Sequence, residues 1–516
     1  MKKIKNYFMN GLVLLLVLLQ FSCDDDVPVE NTNALTPDVF FLSLSQVEAA
    51  VNASYNQFQI VYQRNGYVFP DAMSDEVVSS GDVNFAPFNR FELNATIPNI
   101  AQYWTACYNG IGACNFVIGN EERMRENAIA GDFAEGGNID DALGQVYFLR
   151  ALYYYHLVKR FGGVPLKTNL ETQLAEEAPR ATEDEVYEQM IADLILSTQL
   201  TFPKGSTQEG RVTREAAYAL LGKIYLHRER YQEAKEAFSN VDNHSLLPLE
   251  DYRDNFSESG EYNDESMFEV SYTGEVGSDA ERWSQTGIGI SEVTFRSQDY
   301  TGWANARPSA KVIAEFEEDD PRFEQAILVD GESTYGPSET LEFPCPGCVG
   351  GPVWYKFSQL YDEQNVSENS GVNVRIMRYA DVVLMQAEVE LNLGNNQDAI
   401  DLLNEIRDRA EMPNYGTATM DARGFPVNTP DQIFNAIVHE RFVELCGEQQ
   451  RLDDLIRWNL DDQELSIFPN ADFNNPDESL RLIRNYDPNV HRVMPIPQNE
   501  LDSNTAMGQG DQNPGY

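Results

Sequence analysis

Residues 211–234 read RVTREAAYALLGKIYLHRERYQEA, and Lys235-Glu236-Ala237-Phe238 complete the run. Tyr218, Leu221-Gly222, Tyr225, Ala234 and Phe238 stand at the offsets of a tetratricopeptide helix pair, in which small Gly222 and Ala234 let two helices approach closely. A second copy follows downstream. Ala387 and Ala399 keep the twelve-residue separation of Gly222 and Ala234, Leu403 stands where Phe238 stood, and Leu393-Gly394-Asn395-Asn396 supplies the turn. One pair cannot bury its own apolar face, so further helices must stack on these two, and the stretches around 45 to 60, 100 to 125 and 140 to 160 are the material available. The fold class expected is mainly α: tetratricopeptide helix pairs in an α-solenoid-like scaffold, plus an irregular loop-rich half with short strands.

Ser45 and Glu48 are spaced as a capping box ahead of Ala49 to Gln59. From Asp140 to Arg160 the run DDALGQVYFLRALYYYHLVKR is apolar and aromatic all round, which predicts a buried helix whose tyrosines are core. Phe161-Gly162-Gly163-Val164-Pro165 ends it. From 241 to 375 the rhythm breaks into Gly, Ser, Pro, Tyr and Trp, with Phe268 to Tyr272 alternating like a strand and one helix from Ser309 through Glu318, closed by Asp320-Pro321. The scaffold therefore takes 38–240 and 375–465, with a loop-rich insertion over 241–375, the whole of 38–516 reading as one domain.

The 516 residues carry 37 Lys plus Arg against 83 Asp plus Glu, a net charge of -46, with 42% apolar residues, enough for an ordinary core. A surface so anionic repels phosphate backbones, and no basic stripe exists, so nucleic acid is excluded as a partner. The chain opens on Met1-Lys2-Lys3-Ile4-Lys5 and an apolar run from Leu12 to Leu19, too short to span a bilayer. Residues 1–22 thus read as a secretion signal, with Cys23 as the lipidated first residue of the exported protein. Removing them takes away three Lys and no acid, leaving 34 cations against 83 anions, a net charge of -49. Asp24-Asp25-Asp26 and a polar stretch to Pro37 make residues 23–37 a flexible acidic tether.

No catalytic constellation stands out. His156, His227, His244, His439 and His491 are scattered, and there is no H-E-x-x-H, G-x-S-x-G or phosphate loop, so no enzyme, cofactor or metal is expected. Cys345-Pro346-Gly347-Cys348 lacks the second half of a zinc site and reads as a loop disulfide; Cys107, Cys114 and Cys446 read as small buried apolar residues.

Five blocks carry a family resemblance: FLRALYYYHLVKRFGGVPL at 148–166, the 211–234 run, RIMRYADVVLMQAEVELN at 375–392 with Asn404 to Ala410, HERFVELCGEQQRLDDLIRW at 439–458, and MPIPQNELDSN with QNPGY at the carboxyl end. In this order and spacing, behind a lipoprotein start, the chain resembles the SusD/RagB family of surface glycan-binding lipoproteins. The resemblance implies a lipid-anchored protein on the outer membrane surface, seated on a SusC-like TonB-dependent transporter. The blocks themselves read as scaffold: Glu440, Arg441, Glu444, Glu448, Arg451, Asp453, Asp454 and Arg457 form salt-bridging faces of a helix, and Trp458 packs at its end.

A glycan offers apolar ring faces and a hydroxyl rim, so a site for it needs flat aromatic side chains beside amide, carboxylate or guanidinium groups. Trp283, Tyr300 and Trp303 lie in SDAERWSQTGIGISEVTFRSQDYTGWANARPS, a stretch full of turn residues and polar partners, and form the expected aromatic platform. The family's glycan face also draws on loops after the first helix, here 71 to 94, which makes Asp71, Asp75, Arg90 and Asn94 rim candidates. Trp104 and Trp354 read as packing residues. The acidic body disfavours polyanionic glycans, so a neutral glycan, of which laminarin-type β-glucan is one, is the expected ligand. The peptide-binding RagB branch is the alternative. A solenoid adaptor for another protein would leave both the anchor and the Trp-bearing loops unexplained.

Overall fold

Thr182 shows how local chemistry starts an element here. Its backbone is extended, its Oγ1 accepts from the Glu185 N–H at 3.3 Å, and its own N–H donates to the Glu185 carboxylate at 2.8 Å, a reciprocal box that opens the helix Glu183–Leu200. The computed structural model describes residues 40–62, 68–79, 85–128, 137–174, 178–272, 306–329, 333–335, 340–342, 352–356, 371–468 and 482–516. Ser43–Tyr516 form a compact unit. The signal segment, Cys23, the tether, Cys345 and Cys348 lie outside the described residues.

The main helices are α1 (Leu44–Ile60), α2 (Pro98–Ile118), α3 (Gly137–Phe161), α4 (Glu183–Leu200), α5 (Arg214–His227), α6 (Tyr231–Phe238), α7 (Tyr379–Asn392), α8 (Asn396–Arg409), α9 (Pro430–Glu444) and α10 (Arg451–Arg457). They pack in series from α1 through α8, with α9 closing over α7 and α8. The two expected pairs are α5 with α6 and α7 with α8. At the first seam a Cβ on Gly222 would lie 2.5 Å from the Phe238 ring, so only a glycine allows this approach. The tyrosine-rich α3 is the hub. Its Tyr153 ring stacks on Phe58 of α1 at 3.8 Å and its hydroxyl donates to the Ser54 carbonyl at 2.7 Å. Arg150 grips Asp193 of α4 through two bonds of 2.8 and 2.6 Å and Asn115 of α2 at 2.7 Å, which compensates its burial.

Four short strands matter for the site: β1 (Val77–Ser79), β2 (Ser266–Val270), β3 (Ala306–Pro308) and β4 (Val374–Arg378). They pair antiparallel as β1 with β3 and β2 with β4.

Several local expectations are corrected. The first helix begins at Leu44, and Ser45 makes no cap; its hydroxyl lies 3.0 Å from that of Ser43, which holds the N-cap position without a side-chain bond to the backbone. β2 is buried at all five residues rather than alternating, because α1 and α5 lie against it. The helix after Ser309 is capped as expected, the serine Oγ accepting from the Val312 N–H at 3.2 Å, but it stops at Glu315 where Phe316 turns extended. The interval holds more than that one helix, since Leu249–Phe256 forms a 3-10 helix and Arg322–Ala326 an α-helix.

The charged run 440–457 is split between α9 and α10 instead of following one helix. Gly447 turns the chain at φ +71° with its Cα against the Trp354 ring, where a Cβ would stand 3.2 Å from the ring. The charges do pair, in the interior. Arg322 reaches Glu440 at 2.6 Å and Glu444 at 3.2 Å, Arg378 and Lys356 reach Glu448 at 2.7 and 2.6 Å, and Arg441 bridges Asp381 at 2.9 Å and Asp454 at 2.7 Å. Trp104 and Trp354 are buried, as are Cys107, Cys114 and Cys446, and burial pushes the Cys114 and Cys446 thiols up to about 12.

Candidate functional site

Tyr272 and Ala306 are the described residues that flank 273–305. At the departing end the Tyr272 N–H donates to Asn373 Oδ1 at 2.8 Å, its hydroxyl donates to the Gln59 carbonyl at 3.0 Å, and Gln59 Nε2 donates to the Ser271 carbonyl at 2.8 Å. At the returning end β3 pairs with β1 in the register Ser79↔Ala306, Val78↔Arg307, Val77↔Pro308. Ser309 extends that clamp, its N–H donating to the Glu76 carbonyl at 2.7 Å and its Oγ to the Asp75 carbonyl at 2.6 Å. The departing end is thus fixed on α1 and Asn373, and the returning end on the strand β1 and on Asp75 and Glu76 before it. Trp283, Tyr300 and Trp303 themselves lie outside the described residues.

Of the four rim candidates, two face solvent. Arg90 ends the short helix Ala86–Arg90 and is exposed, as is Asn94, whose Oδ1 accepts from the Thr96 N–H at 3.0 Å and hydroxyl at 2.6 Å. Asp71 and Asp75 are corrected: both are interior scaffold groups. Asp71 is buried and its Oδ1 accepts from the Gln449 N–H at 3.0 Å. Asp75 is fully buried between Arg451, at 2.9 and 3.0 Å, and Lys311, at 2.6 Å. Burial alone would raise its pKa, yet the two cations overcome that and hold it well below the ordinary carboxylate range. Glu76 goes the other way, pushed far up by burial and by the neighbouring Asp71 and Asp75 charges.

A cleft of about 630 Å³ opens beside the departing root, between α1, the turn 208–211 and β2. Phe58 and Phe268 give it a buried apolar floor, with Tyr55 at the side. The Tyr55 hydroxyl is pinned by donating to Gln145 Oε1 at 2.7 Å and accepting from the Val212 N–H at 3.0 Å, and Arg211 stands 5.4 Å over its ring. Asn52, Asn56, Gln59 and Gln208 supply amides around the opening. Sequence reasoning passed over this group. The signal was an Asn52, Asn56, Gln59 stripe at helical spacing, beside the apolar Val47, Val51 and Phe58 stripe that anchors α1.

Among the described residues no group of three or more His, Cys, Asp or Glu is placed to hold a metal ion, and no helix is long and apolar enough to cross a membrane. Among the described residues, stacked helix pairs carry the amide-rimmed cleft, and the two residues that flank 273–305 are fixed beside it and at β1.

Two family models match the chain, one described as SusD family over residues 264–516 and one as starch-binding associating with outer membrane over residues 29–226. SusD-like protein P2 of Formosa agariphila is 27% identical over 547 residues, covering 99% of this chain and all of the relative. A solved structure of a laminarin binding SusD-like protein is 25% identical with a TM-score of 0.72, covering 92% of this chain and 99% of that one. A SusD homolog from Bacteroides thetaiotaomicron, at 19% identity, shares the fold with a TM-score of 0.78 over 93% and 98% of the two chains. The chain belongs to the SusD/RagB family and has its mainly helical fold.

Proposed function

We propose that this protein is a non-catalytic, lipid-anchored capture protein that binds glycan at the cell surface and passes it to a SusC-like TonB-dependent transporter in the outer membrane. The observation that carries the reading is that both residues flanking 273–305 are fixed, Tyr272 on Gln59 and Asn373, and Ala306 on β1. The stretch bearing Trp283, Tyr300 and Trp303 therefore starts and ends on the helical body, near the stretch bearing Arg90 and Asn94 in sequence. Rings for the sugar faces and polar groups for the rim are what carbohydrate recognition requires. Holding a polymer beside a transporter raises its local concentration there, a gain that needs no bond-breaking chemistry. A neutral glycan fits the net charge of -46, and the likeness to a laminarin binding relative supports a β-glucan. Cys23 is the anchor in this reading.

Calorimetry on the full chain in detergent tests the platform. Trp283→Ala with Trp303→Ala is expected to abolish laminarin binding while leaving the melting temperature nearly unchanged. A large fall in melting temperature would mark the two indoles as core and overturn the platform. Heat from peptide mixtures with none from neutral glucans would move the protein to the peptide-binding branch of the family.

A further inference from the structure

We propose that the cleft between α1, the turn 208–211 and β2 is a separate carbohydrate subsite that takes a stretch of neutral glycan chain. The inference rests on the reading that the protein captures glycan, and adds a place and a chemistry to it. Its volume of about 630 Å³ lies within the about 300–1,000 Å³ usual for small-ligand sites.

The lining has the two-sided character of a sugar. Phe58 and Phe268 close its floor from beneath, buried, while the half-buried Tyr55 presents the apolar ring and is held in one orientation by both bonds of its hydroxyl. Over that floor stand amides, each with a donor and an acceptor, which suits a hydroxyl that does both. Asn52 and Asn56 sit one turn apart on the same face of α1, about 6 Å along its axis, and both are exposed. Among the described residues the side chains of Asn52, Asn56 and Gln208 have no hydrogen-bond partner in the protein, so their capacity is available to a ligand.

The charge at the opening is balanced, which selects against charged ligands. Arg211 and Glu209 offset one another, while Glu269 is engaged inside by Arg375 at 3.3 Å and Asn373 at 2.9 Å. The cleft also stands at the root of the insertion, because Ser271 lines it and lies two residues before position 273. A glycan chain held by the insertion therefore has a second polar trough at the place where the insertion begins.

The test is calorimetry of the full chain in detergent with β-1,3-, β-1,4- and α-1,4-linked glucohexaoses. The wild type is expected to show two classes of site. Asn52→Ala with Asn56→Ala should weaken one class by about tenfold or more, the effect of losing two hydrogen bonds, with no fall in melting temperature because alanine favours an exposed helix. Trp283→Ala with Trp303→Ala should remove the other class only. An isotherm for the Asn52/Asn56 variant identical to wild type, with binding lost in the Trp variant, overturns the cleft and leaves the capture reading intact. Binding lost in the Asn52/Asn56 variant alone supports the cleft and overturns the platform. Silence of all three hexaoses on wild type overturns both.

Discussion

Asp75 keeps its charge where no water reaches it, because Arg451 and Lys311 meet its two oxygens. Removing one member of such a buried pair strands the other, at a cost of about 3–5 kcal/mol. Asp75→Ala should therefore lower unfolding stability by that order in a denaturant titration, whereas Arg90→Ala, at an exposed position, should stay within about 0.5 kcal/mol. Equally small losses would return Asp75 to the rim. The resemblance placed 71 to 94 in loops, whereas Val68–Met73 is helical, and nothing local reveals the depth of Asp75, since the partner Arg451 lies 376 positions away. Arg90 and Asn94 were picked out with Asp71 and Asp75 by region alone, and what separates the exposed two, a short helix end and an Asx turn, is a local setting that the regional likeness does not carry.

Gly222 is the element-scale counterpart. On helix propensity alone Gly222→Ala would stabilise α5 by about 1 kcal/mol. The Phe238 ring occupies the space the new methyl needs, 2.5 Å away, so the substitution should instead destabilise by about 1–3 kcal/mol through overpacking. Adding Phe238→Leu should recover part of that loss, and the coupling in a double-mutant cycle would measure the seam. A net gain from Gly222→Ala alone would refute the close approach. This seam was readable from the repeat itself, as was α3 from its continuous apolar circumference, because both signals are local and periodic. The break between α9 and α10 was not. Charged residues continue at helical spacing across Gly447, and the turn there is set by Trp354 packing from a distant part of the chain.

Across the whole molecule, 83 acids face 37 cations, and many arginines are consumed in the interior by Glu440, Glu444, Glu448, Asp454 and Asp193. The exterior left behind is strongly anionic. An alginate oligosaccharide should therefore bind at least about tenfold more weakly than a neutral glucan of equal length at low salt, with the gap narrowing as ionic strength rises and screening shortens the field. Tighter alginate binding at low salt would contradict a neutral ligand. The two fastenings at Tyr272 and Ala306 carry a further consequence. A stretch of different sequence or length grafted between them would meet the same two docks, Gln59 with Asn373 at one end and β1 at the other, so this part of the chain can diverge while the helical stack beneath stays as it is.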